Sequence, residues 1–166
     1  KQEIANGGLD KLIKSRNIKK WQILFLVLIG RYETAKHLKK ITIFPKIKEV
    51  LEKLSQKHTL GILTSNSKKN VLNFLEKNNI DKDIFAFISA EFSLINKDVK
   101  ISNLVSKYKL RHQKTWYIAD ETRDIKAAKK AGIKSVAVTW GYESRNSLLK
   151  AKPDKIVRKP EEIFKR

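Results

Sequence analysis

The stretch Thr115-Trp-Tyr-Ile-Ala-Asp120-Glu121-Thr122-Arg123-Asp124, followed by Ile125-Lys-Ala-Ala-Lys-Lys-Ala-Gly132, sets the reading of the whole chain. A short apolar run, Trp116 to Ala119, stops at an acidic pair, and a helical pattern carrying a second acid follows. Gly132 closes that pattern as a helix-end residue. The next run, Lys134-Ser-Val-Ala-Val-Thr139, is strand-like again, so the unit is predicted to be strand, acidic turn, helix, strand. In open parallel α/β sheets, ligands sit at the carboxyl ends of the strands. Asp120 and Asp124 fall there as hard oxygen donors of the kind that suit Mg²⁺. The same letters allow a simpler role, with Asp120 a turn residue and Asp124 a helix N-cap.

Outward from this unit the chain keeps alternating. Phe44-Pro45 opens an amphipathic helix with Ile47, Val50, Leu51 and Leu54 on one face. Thr59 to Thr64 reads as a strand and Lys68 to Asn79 as a helix; Ile84 to Ser89 is a strand and Lys97 to Tyr108 a helix. After the acidic unit come a short strand, Lys155 to Val157, and a terminal helix, Pro160 to Phe164. Strands and helices alternating at this spacing imply parallel pairing through right-handed crossovers, an α/β fold. Residues 1 to about 40 differ: they hold no strand alternation, and no proline precedes Pro45, so they read as a small helical module.

Composition narrows the function. The chain of 166 residues has no cysteine, which excludes disulfides, thiolate zinc sites and a cysteine nucleophile. Its longest apolar run, Trp21 to Ile29, is broken by Gln22 and is too short to span a bilayer, as expected of a cytoplasmic protein with no membrane partner. The net charge is +20, but only 7 of the 37 basic residues are arginine and the lysines are spread along the whole chain. Nucleic-acid binders concentrate charge on one face and use Arg for bidentate contacts, so a nucleic-acid partner is not expected. A lysine-rich nucleic-acid binder remains the alternative that this charge allows. A field of this sign favours small anionic substrates.

Three loops follow three strands on the ligand side. Leu63-Thr64-Ser65-Asn66-Ser67 supplies a hydroxyl and an amide just before a helix start, where free backbone N–H groups attract anions. Ser65 or Ser67 could equally be the cap of that helix. In Ser93-Leu-Ile-Asn-Lys97 a lysine opens a helix against its macrodipole, so a partner for Lys97 is expected. The acidic turn is the third. Together they make a set suited to a phosphate and Mg²⁺.

The order Thr64-Ser65-Asn66, then Lys97, then Ala119-Asp120-Glu121-Thr122-Arg123-Asp124 resembles motifs two, three and four of the haloacid dehalogenase-like hydrolases, closest to the phosphoglycolate-phosphatase-like branch. Val136-Ala-Val-Thr-Trp-Gly141-Tyr, Pro153-Asp154 and Lys159-Pro160-Glu161-Glu162 are similar to the tail of such phosphatases. The resemblance implies a Rossmann-like three-layer parallel sheet over residues 43–166, with residues 1–42 as the later part of a small helical cap. It implies a Mg²⁺-dependent phosphatase of small phosphate esters, monomeric or homodimeric. Ser65 and Lys97 would be catalytic, Ser65, Asn66 and Lys97 would hold the phosphate, and Asp120 and Asp124 would hold the metal. Two departures stand out. Ala119 replaces the usual Gly, and the family's Asp-x-Asp-Gly-Thr turn is absent, since the only Asp before Asp81 is Asp10. The nucleophile is therefore expected in a segment ahead of Lys1, the alternative being a non-catalytic phosphate-binding or interaction protein. In the family the strand carrying that turn lies between the strands ending here at Thr64 and Ala119, so those two should not pair with each other.

Overall fold

The computed structural model describes residues 41–90 and 96–164. The expected cap, apart from residues 41 and 42, lies outside the described residues, as does most of the loop leading to Lys97. The elements alternate, all but α5 as the sequence predicts: α1 (Ile47–Ser55), β1 (Leu60–Thr64), α2 (Lys68–Lys77), β2 (Phe85–Ala90), α3 (Lys97–Lys107), β3 (Trp116–Ala119), α4 (Thr122–Lys130), β4 (Lys134–Val138), α5 (Arg145–Lys150) and β5 (Lys155–Val157). Single 3₁₀ turns occupy Lys82–Ile84, His112–Lys114 and Pro160–Phe164, the last where a terminal helix was expected.

Every strand pairing among the described residues is parallel. β1 pairs with β2, and β4 lies between β3 and β5. The strands ending at Thr64 and Ala119 belong to separate sheets, as expected. Gly61 and Leu63 of β1 and Trp116 and Tyr117 of β3 line a common cleft of about 110 Å³. Ile101, Val105 and Ile133 line it too, and they belong to the cluster against which both Leu63 and Tyr117 pack.

Helix ends explain how the chain returns to the sheet so often. α2, α3 and α4 each finish on a left-handed residue, Asn79 (φ 53°), Lys109 (φ 50°) and Gly132 (φ 70°). The next residue then donates back across the last turn: Ile80 to Leu75 O (2.9 Å), Leu110 to Val105 O (2.8 Å) and Ile133 to Ala128 O (3.1 Å). This bond satisfies a terminal carbonyl and tucks an apolar side chain under the helix. At Gly61 the reason for glycine is different. A Cβ there would run into the Phe87 ring, which crosses from β2 and stacks on Tyr108 with centroids 4.3 Å apart.

Around β4 the core is densest. Ser135, Val136, Ala137 and Val138 are all buried, and Ile125 and Leu148 pack with Ala137 at 0% exposure. Ser135 is a buried polar residue, and it is satisfied: its N–H (2.8 Å) and hydroxyl (2.9 Å) both donate to Asp154 Oδ2. That bond ties the loop before β5 to the centre of the sheet.

Candidate active site

β3 ends at Ala119, and Asp120 is the first residue beyond it. α4 then starts at Thr122, with Glu121 as an N-cap whose side chain makes no capping bond. Asp124 is thus inside the first turn of α4 and is not its N-cap, which corrects the simpler reading of that residue. Its carboxylate meets the Lys97 ammonium instead.

Lys97 is the first residue of α3, and its Nζ lies 2.6 Å from each oxygen of Asp124. The Asp124 side chain is 10% exposed and that of Lys97 28%, so the pair is largely withdrawn from water. The partner that a lysine at a helix N-terminus requires is therefore this carboxylate, 27 residues away in sequence. Tyr117 lies beneath, with its ring centroid 6.0 Å from the Lys97 Nζ. Burial, and then the charge of Asp124, push the Tyr117 hydroxyl above the ordinary phenol range, so it stays protonated. Arg123 turns outward and is held by Glu121, Nε to Oε2 at 2.7 Å and Nη2 to Oε1 at 3.0 Å.

Asp120 is gripped by the loop after β4, in which the sequence assigned no site residue. The Tyr142 N–H donates to Asp120 Oδ2 at 2.7 Å, and the Glu143 N–H donates to the Asp120 carbonyl at 3.3 Å. Gly141 lies so close over Asp120 that a Cβ there would overlap its side chain. Glu143 Oε1 accepts from the Thr122 N–H (3.1 Å) and hydroxyl (3.2 Å), and so supplies the cap that Glu121 does not. The available signal was a Gly-Tyr-Glu run directly after a strand, at the carboxyl end where ligands gather.

The loop after β1 is built by local bonds. Ser67, not Ser65, caps α2, accepting from Asn70 N at 3.2 Å. Asn66 Oδ1 accepts from Ser67 N and from the buried Asn70 amide, both at 2.9 Å, while Asn66 N donates to Thr64 Oγ1 at 3.1 Å. These bonds occupy the Asn66 oxygen and leave its amide nitrogen as a donor. Ser65 is exposed, and its hydroxyl has no partner among the described residues. The structure thus joins Lys97 to Asp124 directly and sets Asp120 four residues before it. Ser65 and Asn66 follow the other sheet's strand, linked to this group through Leu63 and the shared apolar cluster.

Asp120 and Asp124 are oxygen donors, but no group of three His, Cys, Asp or Glu side chains converges among the described residues. Mg²⁺ does not need one, since it keeps several waters and takes one or two carboxylates with phosphate oxygens. The residues fit that ion, with Asp120 the more available carboxylate and Asp124 shared with Lys97.

Residues 2–138 match the family model described as haloacid dehalogenase-like hydrolase. The chain is 30% identical over 154 residues to a phosphoglycolate phosphatase of Synechococcus elongatus, covering 92% of this chain and 72% of that protein. A phosphoglycolate phosphatase of Vibrio parahaemolyticus is 29% identical over 115 residues, 68% of this chain and 50% of its own length. Among solved structures, a haloacid dehalogenase-like family hydrolase of Streptococcus pneumoniae superposes with a TM-score of 0.75 at 28% identity, over 90% of this chain and 72% of that one. A predicted phosphatase of Clostridium acetobutylicum shares the fold with a TM-score of 0.79 at 21% identity, over 93% of this chain and 73% of that one. With the Lys97–Asp124 pair and Asp120 gathered beyond β3 in such a fold, the chain belongs to the haloacid dehalogenase-like hydrolases, in their phosphoglycolate-phosphatase-like branch of phosphoric monoester hydrolases.

Proposed function

We propose that this site serves a Mg²⁺-dependent phosphatase acting on a small phosphate ester of the phosphoglycolate type. The observation that carries the proposal is the Lys97 ammonium held between both oxygens of a buried carboxylate beside Asp120. A lysine so placed is held in position, and it can offset negative charge developing on phosphoryl oxygens. Ser65 and Asn66, whose hydroxyl and amide nitrogen have no partner among the described residues, suit the remaining phosphoryl oxygens. Mg²⁺, when bound at Asp120 with Asp124, would supply further charge neutralisation on the phosphate. The attacking carboxylate belongs to the family's Asp-x-Asp turn, which the sequence does not contain; it would come from a segment ahead of Lys1 and form an aspartyl-phosphate that water hydrolyses.

The partner is accordingly a small phosphorylated molecule, and the surplus of lysine serves to attract it. No helix among the described residues is long and apolar enough to cross a membrane. The test is phosphate release from phosphoglycolate and p-nitrophenyl phosphate by the full-length protein, with Mg²⁺ and with EDTA. Hydrolysis that EDTA abolishes is expected. Hydrolysis that survives complete metal removal takes Asp120 out of the metal role. Phosphate binding without any hydrolysis would favour the non-catalytic reading.

A further inference from the structure

We infer that Glu143 is a positioning residue for Asp120 and that the loop Gly141–Glu143 sets the affinity of the site for a divalent cation. The inference rests on the assignment of Asp120 to the cation. Asp120 has two carboxylate oxygens, and one of them, Oδ2, is committed to the Tyr142 N–H at 2.7 Å. That bond fixes the rotation of the carboxylate and leaves Oδ1 for the ion. Partners of this kind commonly change metal affinity by about 10–100-fold when they are removed.

A backbone N–H can orient Asp120 only if its own loop is held. Tyr142 does not hold it, because that side chain is 68% exposed. Nor does a longer element, since α5 begins only at Arg145, after its Ser144 cap. The fastening point is Glu143. Its N–H reaches the Asp120 carbonyl, and its side chain takes the Thr122 N–H and hydroxyl at the start of α4. The carboxylate also lies at the positive end of the α4 dipole, where a negative charge is favoured. Three successive residues thus divide the work: Gly141 permits the approach, Tyr142 aims the carboxylate and Glu143 locks the loop to the helix it serves.

The test uses the whole chain and Mn²⁺ as a spectroscopic stand-in for Mg²⁺, with binding followed by the loss of the free-ion paramagnetic signal. Hydrogen exchange of the Tyr142 and Thr122 amides is measured in parallel without metal. Glu143→Ala is expected to weaken Mn²⁺ binding about tenfold and to speed both amides by a similar factor. Glu143→Gln keeps an acceptor for Thr122 and should restore most of both. Gly141→Ala, which pushes on Asp120 from the same loop without touching Glu143, should weaken Mn²⁺ binding while the Thr122 amide stays protected. If Asp120→Asn abolishes binding but Glu143→Ala binds as the wild type does, the inference is overturned and the Asp120 assignment stands. If Asp120→Asn binds as well as the wild type, the assignment falls and the inference falls with it. The exchange data would still report whether Glu143 holds the loop.

Discussion

Among the described residues the strands form two sheets that are built differently, and the difference divides the candidate site. In β3–β4–β5 the central strand is paired on both sides and buried from Ser135 to Val138. The β1–β2 pair has a register irregularity at Leu60/Gly61, and β1 contains no fully buried residue. The charged groups, Asp120, Asp124 and the Glu143 loop, stand on the first sheet and its helices. The donors Ser65 and Asn66 stand beyond the second, in a loop held by its own side chains. Ionic groups need their carboxylates held to within fractions of an ångström, and a packed sheet with long-range bonds provides that. A hydroxyl and an amide can be placed by short-range bonds among Thr64, Asn66, Ser67 and Asn70.

If this division is right, the largest loss should come from the ion pair. Lys97→Ala is expected to lower turnover of the full-length protein by about 100-fold or more, the scale for removing one electrostatic stabiliser. It should also cost stability, about 3 kcal/mol, because it leaves the buried Asp124 carboxylate only the longer pairing with Arg123 Nε at 3.7 Å. The double variant Lys97→Ala/Asp124→Ala should recover part of that stability and none of the turnover. Urea unfolding and steady-state kinetics measure the two. A single variant with wild-type turnover would make Lys97 a structural cation only.

Packing substitutions compare the sheets without touching charge. Leu148, at 0% exposure against Ala119, Ile125 and Ala137, sits under the charged half of the site. Leu148→Ala should destabilise by about 3 kcal/mol through lost burial and the cavity it leaves. Leu63, half-buried in β1, should cost only about 1 kcal/mol as Leu63→Ala. Equal losses in urea unfolding would break the contrast between the two regions. A next smaller effect is expected at Ser65, where Ser65→Ala should raise KM more than it lowers turnover and leave unfolding unchanged.

Much of this was legible in the letters, and the exceptions share a cause. The alternation of elements, the acidic turn and the helix end at Gly132 follow from local periodicity and backbone preference. Asn79 and Lys109 adopt the same left-handed ending, but a lysine there has no sequence signature. α5 went unread because it is short and its start rests on Ser144, one polar residue in a polar run. Asp124 was open to reading as a cap because short-range chemistry favours that role. The bond that decides against it comes from Lys97, 27 residues earlier. Glu143 was missed for the same reason, since its partner Thr122 is 21 residues away. Pairings at that distance are set by the packed fold, and a single sequence does not display them.

The smallest expected effect tests the tie that anchors the better-built sheet. Burial pushes the Asp154 carboxyl up, but the hydrogen bonds from the Ser135 N–H and hydroxyl outweigh it and hold the group below its ordinary value. A carboxyl depressed on folding stabilises the fold above its unfolded pKa, about 3.9, and that contribution is lost as pH falls through the lower folded value. Asp154 is largely solvent-exposed, so screening keeps the effect to a few tenths of a kcal/mol. The unfolding free energies of wild type and Asp154→Asn should therefore differ slightly at neutral pH and converge below about pH 4. A gap that stays constant from neutral pH to about pH 2 would mean that the two Ser135 bonds are indifferent to the charge. The hold of Asp154 on β4 would then be one of shape alone.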